Sequence, residues 1–267
     1  MNVTILGCGP AGLMAAHGAV HAGANIKVLS KRRKSELFGA QYLHAPIPGA
    51  TNDEPITVEY MLEGNVIDYK HKVYGQQWEG SVSPDDLPGK HLAWDIRETY
   101  DNLWDMYAHN IEDIDLTPGI VANLAHPGVG ADIIISTIPR PALCSRGHTF
   151  GAQKIVAAGD APARGIRIPY TAPPNTVLCN GLPAPSWYRL SNIFDHLTAE
   201  WSMASLRVAP PISSAAEVLK PLFHNCDCLP DIHHVGRYGE WKKGVLSHES
   251  YSVAYGLVER VMAGIPS

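Results

Sequence analysis

The sequence predicts an α/β fold, and three observations near the N-terminus carry this prediction. The apolar run from Val3 to Leu6 is typical of a buried parallel strand. Glycines follow at the spacing Gly7-x-Gly9-x-x-Gly12 and open a helix of small residues that continues through Ala22. A second apolar strand, Ile26 to Leu29, comes at the expected distance. Together these elements predict a Rossmann-like domain that binds a dinucleotide.

The glycine motif has a physical reason at each position. Gly7 permits the tight turn, Gly9 lets the backbone approach a pyrophosphate, and Gly12 lets the helix lie against the strand. Pro10 and Ala11 stand in the first helical turn, where the helix N-terminus attracts an anion. We therefore expect residues 7 and 9–12 to hold the phosphates of a cofactor.

Composition excludes several classes of protein. The 267 residues are 45% hydrophobic and 18% charged, and the formal net charge is −5, so no general binding of nucleic acid or of an anionic membrane is expected. No apolar run is long enough to span a bilayer, and the N-terminus has the pattern of a strand rather than of a cleavable signal. These observations predict a cytoplasmic protein, and its five cysteines are expected as reduced thiols.

The end of the second strand bears on the choice of dinucleotide. Ser30, Lys31 and Arg32 stand where an acidic residue usually accepts hydrogen bonds from a ribose. Basic residues at this place favour the 2′-phosphate of NADP. A second interpretation stays open, in which Ser30 bonds the ribose and the basic run 31–34 is a solvated surface loop.

The segment that follows carries a resemblance to a known family. After the second strand, the Ser-Lys-Arg triplet and the turn with Gln41 and Tyr42 resemble the N-terminal signature of FAD enzymes of the flavin amine oxidase and UDP-galactopyranose mutase superfamily. Residues 131–139 and 235–262 are also similar to that superfamily. The resemblance implies FAD as the cofactor, with Ser30 in the place of the ribose-binding glutamate. The chain is shorter than members of that superfamily, mainly in its substrate-binding portion.

The same resemblance assigns roles near the C-terminus. It implies that Gly236 and Arg237 lie at the flavin diphosphate, where a guanidinium can make bidentate contacts. It also implies that backbone N–H groups of Val245 and Leu246, at the start of the last helix, lie near the pyrimidine edge of the flavin.

Five side chains are candidates for contact with the substrate. His44 and His248 lie in segments expected to reach the flavin, and an imidazole titrates near neutral pH. Tyr188 and Arg189, with Tyr42, are candidates for holding a substrate against the ring, on the placement that the resemblance implies.

Local patterns predict the remaining elements. Asp95 is expected to cap a helix whose apolar face is Ile96, Tyr100, Leu103, Trp104 and Tyr107. The other expectations are two antiparallel strands within 56–74, a loop over 75–90, short strands at 120–124 and 154–158, a strand at 196–201 that alternates between buried and polar residues, a helix from Ser214 to Pro221, and a last helix to Met262 with Leu246, Val253, Leu257, Val258 and Val261 buried.

A set of possible metal ligands leaves two interpretations open. Cys144-x-x-x-His148 and Cys226-x-Cys228 could supply the four ligands of a structural zinc ion, whereas plain reduced thiols without a metal are the default. No nucleophile elbow, P-loop or Cys-x-x-Cys pair is present in the sequence, which disfavours hydrolase, phosphotransferase and dithiol chemistry.

We expect residues 1–50, 111–165 and 230–267 to form the FAD-binding domain, and 51–110 and 166–229 to form the inserted α+β portion. The expected function is FAD-dependent hydride transfer from a small-molecule or carrier-bound amine or alcohol. Two alternatives stay open: an isomerase like the mutases, and an NADP-binding protein without catalysis.

Overall fold

The computed structural model describes the greater part of the chain. The described residues are 1–31, 33, 37, 42–52, 54–74, 89–124, 131–160, 168–184, 186–203 and 215–265. Two sheets are present in this part, and helices cover the first of them.

The first sheet is parallel and is built from distant parts of the chain. Its strands stand in the order β12-β6-β1-β2-β5. Their bounds are Asn2–Leu6 for β1, Asn25–Ser30 for β2, Ile111–Asp113 for β5, Ile133–Ser136 for β6 and His233–His234 for β12. Leu6 pairs with Leu29 on one side and with Ser136 on the other, so three strands end at the same edge. This confirms the α/β fold with a Rossmann-like parallel sheet.

Three helices form the main core with this sheet. They are α1, Pro10–His21, α3, Ile96–Tyr107, and α7, Glu249–Met262. The helix α1 packs against both others, and its residues 12–19 are buried. Asp95 caps α3 as predicted, because its Oδ1 accepts a hydrogen bond from the Arg97 N–H at 2.7 Å. Short helices lie at Pro118–Leu124 (α4), Arg140–Leu143 (α5) and Gly236–Glu240 (α6).

The second sheet has the order β11-β7-β10-β9-β8-β3-β4 and is antiparallel except where β3 pairs with β8. The strands are Ile56–Gly64 (β3), Gly89–Ala93 (β4), Phe150–Gly159 (β7), Thr176–Gly181 (β8), Arg189–Ile193 (β9), His196–Ser202 (β10) and Ala216–His224 (β11). The strand β7 falls within the range 111–165 assigned to the FAD-binding domain, and it pairs here with β10 and β11. The division into two domains stays a prediction.

The segment 56–74 is one strand and one helix rather than two antiparallel strands. The strand β3 continues to Gly64, and α2, Val66–Tyr74, follows it. Asn65 Oδ1 accepts from the Ile67 N–H at 2.7 Å, and Tyr69 and Val73, four residues apart, are buried on one helix face. The antiparallel partner of β3 is β4. Of the predicted loop over 75–90, residues 75–88 lie outside the described residues.

Two further predictions of local structure are wrong. Residues 118–124 form α4 instead of a strand, with Pro118 in the first turn, where a missing N–H has no cost, and Val121 buried. Residues 216–224 form β11 instead of a helix that Pro221 ends. Pro221 is accepted because β11 is an edge strand, and the register shifts between Pro221 and Phe223. Ser214 lies outside the described residues.

The last helix begins later than predicted and buries part of the predicted face, including Leu257 and Val258. His248 is its N-cap, and Ser250, Ala254, Leu257 and Val258 are buried. Val253 is 44% exposed, although it was expected in the core. None of the helices in the described part of the chain has the length and apolar character that a bilayer crossing requires.

Candidate functional site

The loop after β1 has the geometry that its glycines predict. Gly7 has φ of +102°, and a Cβ on Gly12 would lie 1.9 Å from the Gly7 carbonyl oxygen, so neither position accepts a side chain. The Gly7 N–H donates to the Leu29 carbonyl at 2.8 Å, which fixes the turn at the end of the sheet. The start of α1 is thereby held at the edge where β1, β2 and β6 end.

The helix N-terminus is open in the part of the chain that the structure describes. A Cβ on Gly9 would meet no described atom within 4 Å, and among the described residues no side chain bonds to the N-cap of α1 at Gly9. Pro10 starts the helix, and its first turn carries no acidic residue. The first N–H groups of α1 therefore offer a place for an anion.

The turn at Gly236 lies against this loop, as the resemblance implied. Gly236 has φ of +75°, and its added Cβ would lie 2.9 Å from Ala11 Cβ and 3.2 Å from Ser250 Oγ. Arg237 Nε is buried and has no hydrogen-bond partner among the described residues, and the same holds for Ser250 Oγ. We call residues 7–12 with Gly236 and Arg237 the glycine cradle. Its open space and unpartnered donors fit a phosphate group.

Two basic side chains after β2, those of Lys31 and Arg33, are engaged with aspartates. Lys31 Nζ donates to Asp115 Oδ2 at 3.0 Å, and Arg33 forms an ion pair with Asp101. Ser30 ends β2, and its carbonyl accepts from the Ile114 N–H at 3.1 Å. Arg32 and Gln41 lie outside the described residues. The choice between a ribose and a 2′-phosphate at this place stays a prediction.

Near the start of α7, one of the two predicted amides is already bonded. The Leu246 N–H donates to Glu249 Oε2 at 2.8 Å, so a flavin could take this donor only if that bond opened. Val245 lies in the same turn and is partly buried. Their role at the flavin ring stays a prediction.

The structure brings together His44 and His248, which are far apart in sequence. Their ring centroids lie 6.2 Å apart, and the His91 ring lies 6.2 Å from that of His44. The ring of Tyr42 is tilted against that of His44, with the centroids 4.5 Å apart, and the Tyr42 hydroxyl lies 3.1 Å from that of Tyr60. We call these five residues the imidazole cluster. Because His248 is two residues from Ser250, which borders Gly236, the cluster is close to the glycine cradle.

Desolvation favours the neutral form of His44 and of His248. Desolvation, and then the neighbouring His248 and His91, lower the pKa of His44. Desolvation also lowers the pKa of His248, against the opposing charge of Glu249. Burial raises the pKa of Tyr42, and the adjacent Tyr60 adds to the effect. His44 and His248 are therefore uncharged imidazoles at neutral pH that can accept a proton.

Tyr188 and Arg189 belong to a second group, which we call the buried ion cluster. The Tyr188 hydroxyl donates to Glu200, and Arg189 Nη2 lies 2.5 Å from Glu200 Oε1. Lys220 Nζ lies 2.8 Å from Glu200 Oε2 and 2.9 Å from the Tyr188 hydroxyl. Arg189 also interacts electrostatically with Tyr42, which links the two clusters. Tyr188 and Arg189 as substrate-holding groups stay a prediction.

Glu200 and Lys220 were not predicted from the sequence as members of a buried ion cluster. Glu200 was placed on the polar face of an alternating strand, but Thr198 and Glu200 are buried in β10 together with Ala199 and Trp201. Lys220 fell in the segment interpreted as a helix. The available signal for a buried ion pair was a charged residue inside the alternating run 196–201, in a sequence that carries the Tyr188-Arg189 pair at the start of the preceding strand.

The possible zinc ligands also come together in space. One ligand atom each of Cys144, His148, Cys226 and Cys228 lies within 4.8 Å of the others, and we call this group the thiol cluster. Desolvation acts to raise the pKa of the Cys144 thiol, but hydrogen bonds from His148 and Arg146 lower it to about 6.

No protein-family model matches the chain, and no curated protein matches its sequence. Solved structures do match its fold. One is 2-methyl-3-hydroxypyridine-5-carboxylic acid oxygenase, with a TM-score of 0.58 and 14% identity over 98% of this chain and 83% of that one. A second is CtdE, solved in complex with FAD and a substrate, with a TM-score of 0.51 and 12% identity over 97% and 80% of the two chains.

A third is QhpG, a peptidyl tryptophan dihydroxylase essential for tryptophylquinone cofactor biogenesis. Its TM-score is 0.51 at 14% identity, and the match covers 96% of this chain and 65% of QhpG, so the chain spans about two thirds of that protein. These similarities show the fold. They confirm the coarser part of the resemblance, a fold shared with proteins that bind FAD, such as CtdE. The finer resemblance to amine oxidases and mutases stays a prediction.

Proposed function

We propose that this chain binds FAD and is an oxidoreductase that uses it. The glycine cradle is the observation that carries the proposal. It joins an open helix N-terminus at Gly9 to the buried, unpartnered Arg237 Nε, across the contact of Gly236 with Ala11. The fold shared with CtdE, which was solved with FAD, supports the choice of this dinucleotide.

In this proposal the cradle holds the diphosphate. The N–H groups of Ala11 and Gly12 and the Arg237 guanidinium would donate to its oxygens. Ser30, with Lys31 or Arg32, would bind the ribose of the AMP half. The flavin ring would extend toward the imidazole cluster, beside Tyr42 and the turn at Val245. When bound, FAD supplies the redox chemistry, and the protein supplies position and environment.

For the reaction, we propose oxygenation of an aromatic or heteroaromatic ring. Two of the structural relatives act on such rings, a hydroxypyridine and a tryptophan side chain. The imidazole cluster suits this chemistry, because Tyr42 and Tyr60 offer aromatic surface and neutral His44 can take a proton from a ring hydroxyl. Oxygen and an external hydride donor would be consumed with the substrate.

Hydride transfer from an amine or alcohol is the second candidate. It also needs a proton acceptor beside the substrate, and the lowered pKa values of His44 and His248 provide one. This reaction reduces the flavin with substrate alone, whereas the oxygenase needs a separate hydride donor. An isomerase like the mutases would show no net oxidation, and an NADP-binding protein would hold no flavin.

The first experiment measures the cofactor. We expect the purified full chain to be yellow, or to become so on reconstitution, and to release one FAD per chain on heating. A colourless protein that cannot take up FAD but binds NADP would contradict the proposal. The candidate residues at the ribose and in the cradle would then have to be reassigned to NADP.

A pair of matched variants then tests the cradle itself. Gly9→Ala puts a methyl group into open space, so its free energy of unfolding without FAD should stay within about 0.5 kcal/mol of wild type. Its FAD affinity should fall at least about tenfold, because the methyl occupies the phosphate position. Gly119→Ala, whose added Cβ also meets no described atom within 4 Å, is the control and should keep full affinity.

Arg237→Ala should weaken FAD binding as well, by about 1.5–3 kcal/mol for a lost hydrogen bond to a charged group. Unchanged FAD affinity in both Gly9→Ala and Arg237→Ala would show that the cofactor does not lie in the cradle.

A separate experiment distinguishes the two candidate reactions by following flavin reduction without oxygen. The protein is mixed first with candidate phenols and hydroxypyridines plus NADPH or NADH, and then with amines and alcohols alone.

A further inference from the structure

The thiol cluster lies where the chain crosses between the two sheets. Cys144 follows α5 and His148 precedes β7, on the connection that leaves β6. Cys226 and Cys228 follow β11, on the connection that returns to β12. Since β6 pairs with β12 in the first sheet and β7 pairs with β11 in the second, the two connections run side by side.

The distances within the cluster suit a tetrahedral ion. Cys144 Sγ lies 3.3 Å and Cys228 Sγ 3.6 Å from His148 Nδ1, and all four ligand atoms lie within 4.8 Å of one another. Zinc bonds of about 2.3 Å to sulfur and 2.0 Å to nitrogen put tetrahedral ligand atoms about 3.5–3.8 Å apart. A small adjustment of side-chain torsions would therefore close the site around an ion.

The orientation of His148 is a second and independent observation. Its Nδ1 faces the sulfurs, and its Nε2 lies 3.3 Å from Asp227 Oδ1 on the other side of the ring. Metal-binding histidines commonly donate their second N–H to a carboxylate, which fixes the tautomer that leaves the other nitrogen free for the metal. Asp227 stands between the two cysteines of the Cys-x-Cys pair, so this arrangement follows from their spacing.

Hydrogen bonds hold the two connections in register. The Thr149 N–H donates to Asn225 Oδ1 at 2.8 Å, and the Asn225 N–H donates to the Thr149 carbonyl at 3.3 Å. Arg140 Nη2 donates to the Cys226 carbonyl at 3.1 Å. Arg146 Nη1 lies 3.8 Å from Asp227 Oδ1. These cations offset the negative charge that three thiolates and one zinc ion leave.

We propose that Cys144, His148, Cys226 and Cys228 bind a structural zinc ion that fastens the two crossings between the sheets. Four protein ligands close the coordination shell, so no position remains for a substrate or an activated water. Binding displaces the thiol protons, with no change in oxidation state. The ion stabilises the junction of the sheets and takes no part in the flavin chemistry, so this proposal is independent of the proposed function.

Metal analysis of the reduced full chain is the first test. We expect one zinc per chain after purification or after incubation with zinc and gel filtration. Replacement by Co²⁺ should give the visible bands of a tetrahedral ion together with thiolate-to-cobalt charge-transfer absorption. No bound zinc, or a cobalt spectrum without thiolate bands, would overturn the proposal. A disulfide between two of these cysteines in freshly purified protein, found by peptide mass analysis, would overturn it too.

Variants test which residues are the ligands. Cys228→Ser should lose the zinc, whereas Cys179→Ser, at a buried cysteine of β8 outside the cluster, should retain it. His148→Cys keeps four ligands and should bind Co²⁺ with stronger charge-transfer bands. Asp227→Asn should weaken zinc affinity about 10- to 100-fold through the lost support of His148. Equal zinc affinity in Cys228→Ser and wild type would show that the metal binds elsewhere.

Discussion

Lys220 Nζ lies 2.8 Å from Glu200 Oε2, and the two side chains are only 17% and 1% exposed. Burial acts to raise the pKa of Glu200, but the charges of Arg189 and Lys220 hold it well below its usual range. Burial also lowers the pKa of Lys220 to about 8, against the attraction of Glu200. The carboxylate is thus stable in the interior because two cations surround it.

Glu200→Gln should therefore be strongly destabilising. The substitution leaves two buried cations without their counter-charge, and breaking one side of a buried ion pair costs about 3–5 kcal/mol. Glu112→Gln is the control, because its pair with Lys27 is about half exposed on both sides and should contribute about 0–1 kcal/mol. Urea unfolding of both variants at pH 7 measures the difference. Equal effects would mean that Glu200 is not the centre of the cluster.

The same pair predicts a dependence of stability on pH. The folded pKa of Glu200 lies below the reference value of 4.5, so the unfolded chain takes up this proton first as the pH falls. The stability that this carboxylate contributes is complete above about pH 4.5 and is lost progressively below it. The free energy of unfolding, measured from pH 6 to pH 3, should fall less steeply in Glu200→Gln than in wild type. Parallel slopes would contradict the ion pairing.

Gly236→Ala should disturb the contact between the two halves of the cradle. An alanine there adopts an unfavourable positive φ, and its Cβ lies 2.9 Å from Ala11 Cβ. Gly244→Ala is the control, because Gly244 also has a positive φ, of +88°, but an added Cβ there meets no described atom within 4 Å. This variant therefore has the backbone cost of about 1–2 kcal/mol without the collision. Thermal unfolding and FAD titration of the pair separate the two effects. FAD affinity should fall in Gly236→Ala alone.

His17 holds α1 to the loop that carries Tyr42 and His44 of the imidazole cluster. Its Nδ1 lies 2.6 Å from the Tyr107 hydroxyl and its Nε2 lies 2.7 Å from the Pro48 carbonyl oxygen, and the residue is buried. His17→Ala leaves both partners unsatisfied and should cost about 2–5 kcal/mol. His21→Ala, one turn along the same helix and exposed, should cost well under half as much. Chemical denaturation of both variants provides the comparison.

Asp95→Ala should lower the free energy of unfolding by about 1 kcal/mol, because the Arg97 N–H at the start of α3 loses its acceptor. Asp105→Ala, in the exposed part of the same helix, is the control and should stay within about 0.5 kcal/mol of wild type. If the two variants unfold at the same denaturant concentration, the side chain of Asp95 does not act as a cap.

The parts of the fold that local chemistry determines were predictable. The turn at Gly7 and the cap at Asp95 depend on residues within a few positions of one another, and the structure confirms both. The strand β11 was interpreted as a helix because Pro221 ends helices, although an edge strand accepts a proline equally well. Whether a segment is at an edge depends on the whole sheet and cannot be read from the segment.

Long-range contacts explain the residues of the site that were missed. Glu200 and Lys220 lie on strands that flank β7 on its two sides, and nothing in either strand alone identifies the other as its partner. His44 and His248 were singled out through the family resemblance. Their contact joins a loop near the start of the sequence to the N-cap of α7, and neither segment alone identifies the other as its neighbour. The thiol cluster was open to prediction because its members are rare residue types at metal-binding spacings.

The first sheet draws β1 and β2 from the start of the chain and β12 from near its end, and α7 covers α1. The glycine loop and α1 are separated by more than 200 residues of sequence from the turn at Gly236 that meets Ala11. Joining segments so far apart in the chain costs conformational entropy that no contact within either segment offsets. We therefore expect the cradle to form only together with the first sheet and with α7 packed on α1, and to open whenever α7 detaches.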